Sequence, residues 1–462
     1  MVPEKTKTSI LIAYHLVLGL VGASMPVLIT LSYLGAFMFF VIDVIISRDR
    51  NSRAGFFALY LMSFEIVYRM GGEVISWEFG KYTSSLMLLT GIIAKERKHI
   101  PLIFLGLFLL LVPSFFLSEA DESGRLRSMI MFNFSGPLSL VLSGFYFYQR
   151  AVSKKQLLNG LWISFLPAFA LIVLMSIRAG LGSLEFESVQ SNTDTAGGFA
   201  ANQVSSILGW FVLLGLILKI FGNSITPFGW ADWIIIGLLL MRGLLTFSRG
   251  GMLSFVFSLI VGLTIYFYYD YRFRRVVLKY LSKIVVGFLF LVVVVFYANS
   301  LTDNYLLYRY EGKTTNEVQT GQLSRERDLL TGRGKIMKGD LDAFKEYPVF
   351  GVGYGMASEW HARYFGHLAA AHTEYARLLS EHGILGLLYL IIAFIVLPFR
   401  QYHFIKSGSN KFLFISFFLI SVLTMFHSAM RLAMPGIVYG LSFIVISGSA
   451  RENNRSLSDH RS

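Results

Sequence analysis

The chain has 462 residues, of which 55% are hydrophobic and only 15% are charged, with a formal net charge of +13. Soluble proteins of this size carry far more charge, so these figures exclude an ordinary water-soluble domain and indicate that lipid surrounds most of the chain. The chain contains no cysteine, which excludes disulfides, thiol chemistry and cysteine-bound metal.

Apolar runs long enough for a helix to cross the hydrocarbon layer, about 17–22 residues, recur along the chain. Lipid offers the backbone no hydrogen-bond partners, so each run is predicted to be a helix. The first run continues into the second, so we expect no cleavable signal peptide. Several runs are closely joined, which leaves twelve spans as an alternative to the following fourteen: 9–24, 26–46, 54–70, 82–94, 100–117, 128–148, 156–177, 203–221, 228–247, 250–270, 284–300, 383–399, 412–430 and 433–449.

The loops between the predicted spans alternate in charge, and every second loop holds a basic cluster. By the positive-inside rule, the side with these clusters is the cytoplasm, where both termini are also predicted to lie. Short basic loops are typical of topology signals and of contact with anionic membrane lipids, so we expect no nucleic-acid partner. The basic residues on this side are Lys5, Lys7, Arg48, Arg50, Arg53, Lys95, Arg97, Lys98, Arg150, Lys154, Lys155, Arg272, Arg274, Arg275, Arg400, Lys406, Lys411, Arg451 and Arg455.

The predicted fold is therefore an all-α polytopic integral membrane protein with a large helical outer loop. Its predicted parts are transmembrane helices over 1–300 with an outer loop at 178–202, a large outer loop at 301–382, further transmembrane helices over 383–449 and a cytoplasmic tail at 450–462. A connection of about eighty residues far exceeds ordinary loops and is usually functional or separately folded.

The large outer loop contains helical patterns of its own. Met337, Leu341 and Phe344 repeat at helical spacing between charges and predict a surface helix, which Pro348 and the glycines of 351–355 would end. A second helix is predicted from about residue 371 into the next span, and on it His372, Tyr375, Leu379 and His382 would share one face.

Four arginines fall at or near the predicted outer ends of spans, although the other positive charge lies mainly on the cytoplasmic side. Arg249 stands in 248-SRGG-251, where it fits either a snorkelling anchor or a clamp for a phosphate group. Arg242 lies about two turns deeper, where a lone charge is costly and a partner or an anionic ligand is expected. Arg178 and Arg431 resemble interfacial anchors when each is considered alone. The four together favour an anion site.

His372 is the candidate general base, since histidine exchanges protons near neutral pH. His361 and His367 in the same loop compete for this role. The spacing of the three histidines fits no compact zinc motif. Asp340 and Asp342 would point apart on a helix, so we predict neither a metal site nor another cofactor.

Three stretches together resemble the superfamily of O-antigen ligases and O-antigen polymerases, which are glycan transferases of bacterial envelopes. They are 248-SRGG-251, 332-GRGKIMKGDLDAFKEYPVFGVGYG-355 and 372-HTEYARLLSEHGILG-386, with a weaker echo in 197-GGFAANQVSS-206. The resemblance covers about residues 195–390 by motif and the whole chain by topology. It departs from the family at Thr373, where asparagine is common.

The resemblance implies a glycan donor carried on undecaprenyl pyrophosphate and an acceptor sugar hydroxyl, joined at the outer face of the bacterial inner membrane. It implies that His372 is the general base and that Arg249 and Arg178 bind the pyrophosphate. The supporting arginines would be Arg242, Arg333 and Arg431, and the glycan path would be lined by Asn202, Tyr354 and Tyr375.

Several reactions fit this resemblance. A ligase transfers finished polymer to lipid A–core, a polymerase transfers it to the next lipid-linked repeat unit, and a protein O-glycosyltransferase uses a protein acceptor. The ligase is preferred, since the strongest motifs match that branch as well as any other. The rival from another class is a lipid-linked glycan flippase or transporter, which usually shows internal repeats and a midplane site.

Overall fold

A computed structural model describes residues 5–72, 75–95, 101–118, 123–180, 186, 188–191, 193–320, 333–366 and 371–447. Within these ranges, nine helices are long and apolar enough to cross a membrane. The predicted all-α polytopic class is confirmed. The predicted tail at 450–462, together with His367, lies outside the described residues.

The helices follow one another with short connections, and each predicted span overlaps a helix. In chain order the elements are α1 Lys5–Ser24, α2 Val27–Ser47, α3 Arg53–Gly71, α4 Phe79–Ala94, α5 Leu102–Leu111, α6 Ser123–Phe147, β1 Ala151–Ser153, α7 Lys154–Phe165, α8 Pro167–Arg178, α9 Ala201–Ile220, α10 Ala231–Leu245, α11 Arg249–Tyr269, α12 Tyr271–Lys279, α13 Leu281–Leu301, α14 Tyr305–Tyr310, α15 Thr315–Thr320, α16 Arg333–Glu346, α17 Ala357–Phe365, α18 Glu374–Ile391, α19 Leu397–Phe404, α20 Gly408–Ser428, α21 Ala433–Ser442 and β2 Val445–Ser447.

The last predicted span, 433–449, is shorter than expected. Its helix α21 ends at Ser442, so it rises only about 15 Å, roughly half of the hydrocarbon thickness. The chain then continues as β2, which pairs in parallel with β1 over three residue pairs. Backbone pairing with β1 thus replaces the end of the predicted helix.

Burial separates central helices from peripheral ones. α9 is apolar on all sides and is buried along most of its length, as expected for a helix surrounded by other helices. In α13 only Ala298 is buried, so this helix lies at the periphery with apolar side chains facing outward. The core therefore surrounds α3 and α9, in both of which nearly every residue is buried.

α11 and α20 pack against each other in antiparallel fashion along their whole length. Gly250 faces His427 at one end and Gly408 faces Asp270 at the other. Between them, the Ser416 hydroxyl lies 3.5 Å from the Ser258 carbonyl oxygen. We call the end of the bundle at which α11 begins and α20 ends the site end.

The opposite end of the bundle gathers three of the predicted cytoplasmic clusters. The buried side chain of Arg150 forms an ion pair with Asp49 at 2.6 Å. Because Asp49 precedes Arg50 in the sequence, this pair joins the cluster at Arg50 to the cluster at Arg150. The Asn410 side chain accepts a hydrogen bond from the backbone of β2, which places Lys411 at this end too. The side of the membrane that each end faces stays a prediction.

The helices α14 to α18 build the site end. α16 covers the predicted surface helix and ends at Glu346, before Pro348. The prediction of a helical face that carries His372 was wrong, because α18 begins only at Glu374. The Thr373 hydroxyl caps this helix by accepting a hydrogen bond from the Ala376 amide at 3.3 Å. His372 thus lies in the non-helical segment before the cap.

Candidate active site

Two adjoining cavities open at the site end. The first, which we call the arginine cavity, measures about 550 Å³ and is lined by Arg249, Arg309, Lys313, Arg333 and His372 among others. The second, the apolar groove, measures about 720 Å³ and runs between α11 and α20. The two cavities share Ser191 and the three arginines, so they form one continuous site.

Backbone carbonyl groups hold the three arginines in position. Arg249, the first residue of α11, donates to the carbonyl oxygen of Arg309 at 3.0 Å. Arg309 donates to the carbonyl oxygen of Phe247 at 3.0 Å, and Arg333 to that of His427 at 2.8 Å. Carbonyl partners orient a guanidinium group, and a carbonyl oxygen carries no full negative charge that would neutralise it. The arrangement therefore collects positive charge around one space.

The arginine cavity and the apolar groove have no carboxylate among the described residues that line them. Burial, and then the charges of Arg249 and Arg333, lower the pKa of Arg309 to about 10. Burial and the charge of Arg249 also lower the pKa of Arg333. Like charges held this close favour an anionic ligand, whose binding would relieve their mutual repulsion.

His372 lines the arginine cavity as a neutral base. Burial, together with the charges of Arg431 and Arg333, lowers the pKa of His372 to about 4. Its Nδ1 atom is buried without a hydrogen-bond partner. The competing His361 is fully buried and lies 3.0 Å from Asp340, away from both cavities. Of the described histidines of the outer loop, His372 alone borders this positive space.

Arg431 approaches His372 from the α20–α21 loop. Its guanidinium donates to the carbonyl oxygen of Ala371 at 3.2 Å, next to His372 in the chain. The loop begins at Ala429, whose φ of 51° is unfavourable for a residue with a side chain. Such a conformation costs about 1–3 kcal/mol and persists only when the surroundings enforce it.

Buried charges from three helices enforce this loop conformation. Lys81 of α4 donates to the carbonyl oxygen of Met430 at 3.1 Å. Glu374 of α18 accepts from the Met430 amide at 3.1 Å, and Glu65 of α3 accepts from the amide of Ala433 at 2.7 Å. The backbone on both sides of Arg431 is thus fixed by charged groups.

The apolar groove follows one face of α11. Leu253, Val256, Phe257 and Ile260 line it at helical spacing, opposite Leu423 and Phe426 of α20. From Arg249 to Ile260 the helix rises roughly 16 Å at 1.5 Å per residue. This is about half of a hydrocarbon layer roughly 30 Å thick. The groove therefore extends from the arginines along a length of α11 equal to about half of such a layer.

The glycines of 248-SRGG-251 allow α11 to approach two neighbouring helices. A Cβ atom on Gly250 would lie 2.3 Å from the His427 ring. A Cβ atom on Gly251 would lie 2.4 Å from the backbone of Ser205 in α9, which cannot move as a side chain can. The motif thus brings the first turn of α11 into the site.

Arg178 and Arg242 line neither the arginine cavity nor the apolar groove. Arg178 donates to the carbonyl oxygen of Met70 at the end of α3. Arg242 is buried and donates to the carbonyl oxygen of Ala179 at 2.7 Å and to the Ser176 hydroxyl at 3.1 Å. Both arginines make contacts within the bundle, and the structure does not bring them together with Arg249.

The residues predicted for the glycan path also lie apart from these two cavities. Tyr354 is fully buried, and its ring stacks on Phe115 at 4.3 Å. The Tyr375 hydroxyl donates to the carbonyl oxygen of Val422 at 2.7 Å. The side chain of Asn202 accepts from the amide of the next residue. Hydrogen bonds within the protein thus engage the side chains of Tyr375 and Asn202, whereas Tyr354 is held by packing and its buried hydroxyl group has no hydrogen-bond partner among the described residues.

Arg309 and Lys313 are lining residues that sequence reasoning missed. Both lie between α13 and α16, where short helices carry no long apolar pattern. Lys313 forms an ion pair with Glu311 at 2.8 Å, which offsets its positive charge. Arg309 therefore contributes more to the positive charge of the cavity than Lys313 does. The only sequence signal was a basic residue in a loop on the side predicted to be poor in positive charge.

The aspartates of the D-x-D sequence point in different directions. Asp340 is buried near His361, whereas Asp342 pairs with Lys345 at 2.9 Å on the surface. Among the described residues, no three histidine, aspartate or glutamate side chains come together as a metal site.

Residues 233–391, about a third of the chain, match the model of the family described as O-antigen ligase. No curated protein matches the chain. The family match supports the resemblance to the O-antigen ligase superfamily and a glycan-transfer role in O-antigen processing. It covers the three arginines of the arginine cavity together with His372, whereas Arg431 and α20 lie beyond it.

Proposed function

We propose, on the premise that residues 233–391 join this chain to the O-antigen ligase superfamily, that the protein is a glycan ligase. It would transfer a glycan from undecaprenyl pyrophosphate to a sugar hydroxyl of lipid A–core at the outer face of the bacterial inner membrane. One observation carries the proposal: a positive cavity, with no carboxylate among its described lining residues, stands beside a neutral histidine and opens into an apolar groove.

The two joined cavities suit a lipid with an anionic head group. Guanidinium groups match pyrophosphate oxygens in geometry and charge, so Arg249, Arg309 and Arg333 would bind the head group. The apolar groove on α11 would take the first part of the polyprenyl chain, since its lining is hydrocarbon and partly exposed. The rest of the chain would remain in the bilayer.

In the proposed reaction, the acceptor hydroxyl oxygen attacks the anomeric carbon of the donor sugar. The bond between that carbon and the pyrophosphate oxygen breaks, and its electron pair leaves with undecaprenyl pyrophosphate. The arginines stabilise the charge that develops on the leaving group. His372 takes the proton of the attacking hydroxyl, a contribution of about 10²–10⁴ in rate for a general base.

Donor binding would make His372 a stronger base. In the donor-free protein its pKa is lowered to about 4, by burial and two neighbouring arginines. Bound pyrophosphate would offset those positive charges and raise the pKa of His372 toward its ordinary value. The base would then strengthen when the leaving group is in place.

A polymerase would use the same donor site, so it is the closest alternative, and the acceptor alone distinguishes the two reactions. A flippase is less well supported, because the described charged cavity lies at one end of the bundle. Transporters commonly bind their cargo near the midplane between repeated halves.

A gel-shift assay in a bacterial strain without its own O-antigen ligase tests the proposal. It compares wild type with His372→Ala and with His403→Ala, a control at an exposed histidine near the opposite end. All proteins are matched for their level in the membrane. The gels measure both the lipopolysaccharide and the lipid-linked glycan.

We expect polymer on lipid A–core with wild type and the control, and at least a hundredfold less with His372→Ala. Longer lipid-linked chains without ligated product would indicate the polymerase instead. No change in either pool would contradict both transfer reactions.

A further inference from the structure

A third cavity at the site end, which we call the polar cavity, shares no lining residue with the other two. It measures about 220 Å³ and lies between the start of α6, the start of α17, α18 and the α20–α21 loop. Its polar lining residues are Ser128, Asn133, Ser358, Glu374, Arg377, Glu381 and Arg431. The transfer mechanism described above does not use this space.

Residues 371–374 form a thin wall between the polar cavity and the donor site. Ala371 and Glu374 line the polar cavity, His372 lines the arginine cavity, and Thr373 lines the apolar groove. The polar cavity and the donor site thus meet along the segment that carries His372.

The charges of the polar cavity differ from those of the arginine cavity. Arg377 bridges buried Glu374 and Glu381, the latter at 3.0 Å. With Arg431 the lining holds two positive and two negative side chains, so its net charge is zero. A second pyrophosphate would meet two carboxylates here, whereas a neutral ligand would meet both donors and acceptors.

Hydroxyl and amide groups complete a lining suited to a sugar. Ser128, Ser358 and Asn133 each supply a side chain that can donate or accept hydrogen bonds, as the hydroxyl groups of a sugar require. Drug-sized ligands occupy roughly 300–1,000 Å³. A cavity of about 220 Å³ is therefore suited to one sugar ring rather than an oligosaccharide.

We propose that the polar cavity binds the terminal sugar ring of the acceptor. The wall formed by residues 371–374 would then direct the attacking hydroxyl group of that sugar toward the imidazole of His372. This inference rests on the proposed transfer reaction and names the place of its second substrate. It holds for a ligase and for a polymerase alike, since both use a sugar hydroxyl. Arg431 borders the polar cavity and influences His372, so it would link acceptor binding to the base.

Steady-state kinetics in proteoliposomes test this inference. The assay varies purified lipid A–core at saturating undecaprenyl-pyrophosphate-linked glycan, and then varies the glycan donor at saturating lipid A–core. If wild type extends lipid-linked chains instead, a lipid-linked repeat unit replaces lipid A–core as the varied acceptor. Ser358→Phe fills the polar cavity, and Asn133→Ala removes one amide with little risk to the fold. The matched controls are Ser24→Phe, at an exposed position of α1, and Asn223→Ala, in the α9–α10 connection.

We expect Ser358→Phe to raise the acceptor KM at least tenfold and Asn133→Ala to raise it about three- to tenfold, as for one lost hydrogen bond. The donor KM should stay within twofold of wild type in both variants. An unchanged acceptor KM in Asn133→Ala, or a rise in the donor KM alone, would overturn the inference while the transfer reaction stood. A wild-type protein that transfers glycan to neither acceptor would overturn the proposed function, and the inference with it.

Discussion

The imidazole of His372 lies near several positive charges, and its proton affinity depends on how many of them are compensated. The pH dependence of kcat/KM reports the ionisation of groups in the free enzyme. Because the pKa of His372 is lowered to about 4, we expect kcat/KM to decrease only when the pH falls to near 4. The acid-side decrease of kcat should occur at higher pH, since the negative charge of bound pyrophosphate offsets the arginines and raises the pKa of His372. Rate measurements between pH 4 and 8 at low and at saturating donor check both limbs.

Arg431→Gln supplies the control for this pH dependence. The substitution removes one of the two charges that lower the pKa of His372. The acidic limb of kcat/KM should therefore move to higher pH, whatever happens to the maximal rate. A limb near pH 6.5, the ordinary histidine value, in both proteins would show that these arginines do not act on the base.

Thr373 shows how a departure from the family pattern can keep the same structure. The Thr373 hydroxyl caps the first turn of α18, and asparagine is an equally good residue at such a position. Either residue would fix the start of α18 and with it the non-helical segment that carries His372. The structure thus gives this position a role that needs no contact with substrate.

The helical elements of the site depend on a close approach at the start of α11. We expect Gly251→Ala to lower the free energy of unfolding by about 1–3 kcal/mol, because the added methyl group would meet the backbone of Ser205. Gly106→Ala in α5 is the control, since a Cβ atom there meets nothing within 4 Å. Thermal unfolding in detergent compares the two variants, and equal midpoints would contradict this packing.

The α20–α21 loop supplies a second test at this scale. Lys81→Met should destabilise the protein by about 3–5 kcal/mol, because buried Glu78 would lose its ion-pair partner. The double variant Lys81→Met/Glu78→Gln should recover most of this stability. It should still show a raised acceptor KM, since the carbonyl group of Met430 loses the Lys81 ammonium group and both Met430 and Arg431 line the polar cavity.

Thermal unfolding and acceptor KM, measured on the same preparations, separate the two effects of Lys81. If the double variant recovered wild-type stability and wild-type acceptor KM together, Lys81 would have no part in positioning Arg431.

Three of the predicted site residues line the same cavity, and these three stand at helix ends or in distinctive motifs. Arg249 in 248-SRGG-251, Arg333 in the Gly-Arg run and His372 come from three separate segments, and all three line one cavity. Their motifs were informative because close helix packing and helix starts restrict the residues that fit.

The remaining predicted residues show what a linear pattern omits. The positions of Arg178 and Arg242 in their spans could not predict the direction in which the two side chains face around the bundle. Tyr354 stands in a glycine-rich run, whose backbone freedom leaves the side-chain direction undetermined. Arg309 lies in a stretch of short helices, so only the tertiary fold brings it to Arg249.

At the scale of the whole molecule, the site combines a charged end with a groove that faces lipid. We expect Ile260→Ser to raise the KM of an undecaprenyl donor more than that of a geranyl donor, because only the longer chain reaches this depth. Ile284→Ser on the exposed face of α13 is the matched control. Transfer kinetics with both donors in mixed micelles measure the ratio, and an equal change for both donors would contradict the groove as the lipid site.

The antiparallel pairing of α11 with α20 has a consequence for biosynthesis. The two helices stand more than a hundred residues apart in the sequence, yet together they form the groove, and the loop after α20 carries Arg431. When the ribosome has delivered His372 and all three arginines of the arginine cavity to the membrane, the second wall of the groove is still missing. A nascent chain would therefore hold its charged residues next to lipid without a finished site. Activity would begin only when α20 inserts beside α11, which is made much earlier.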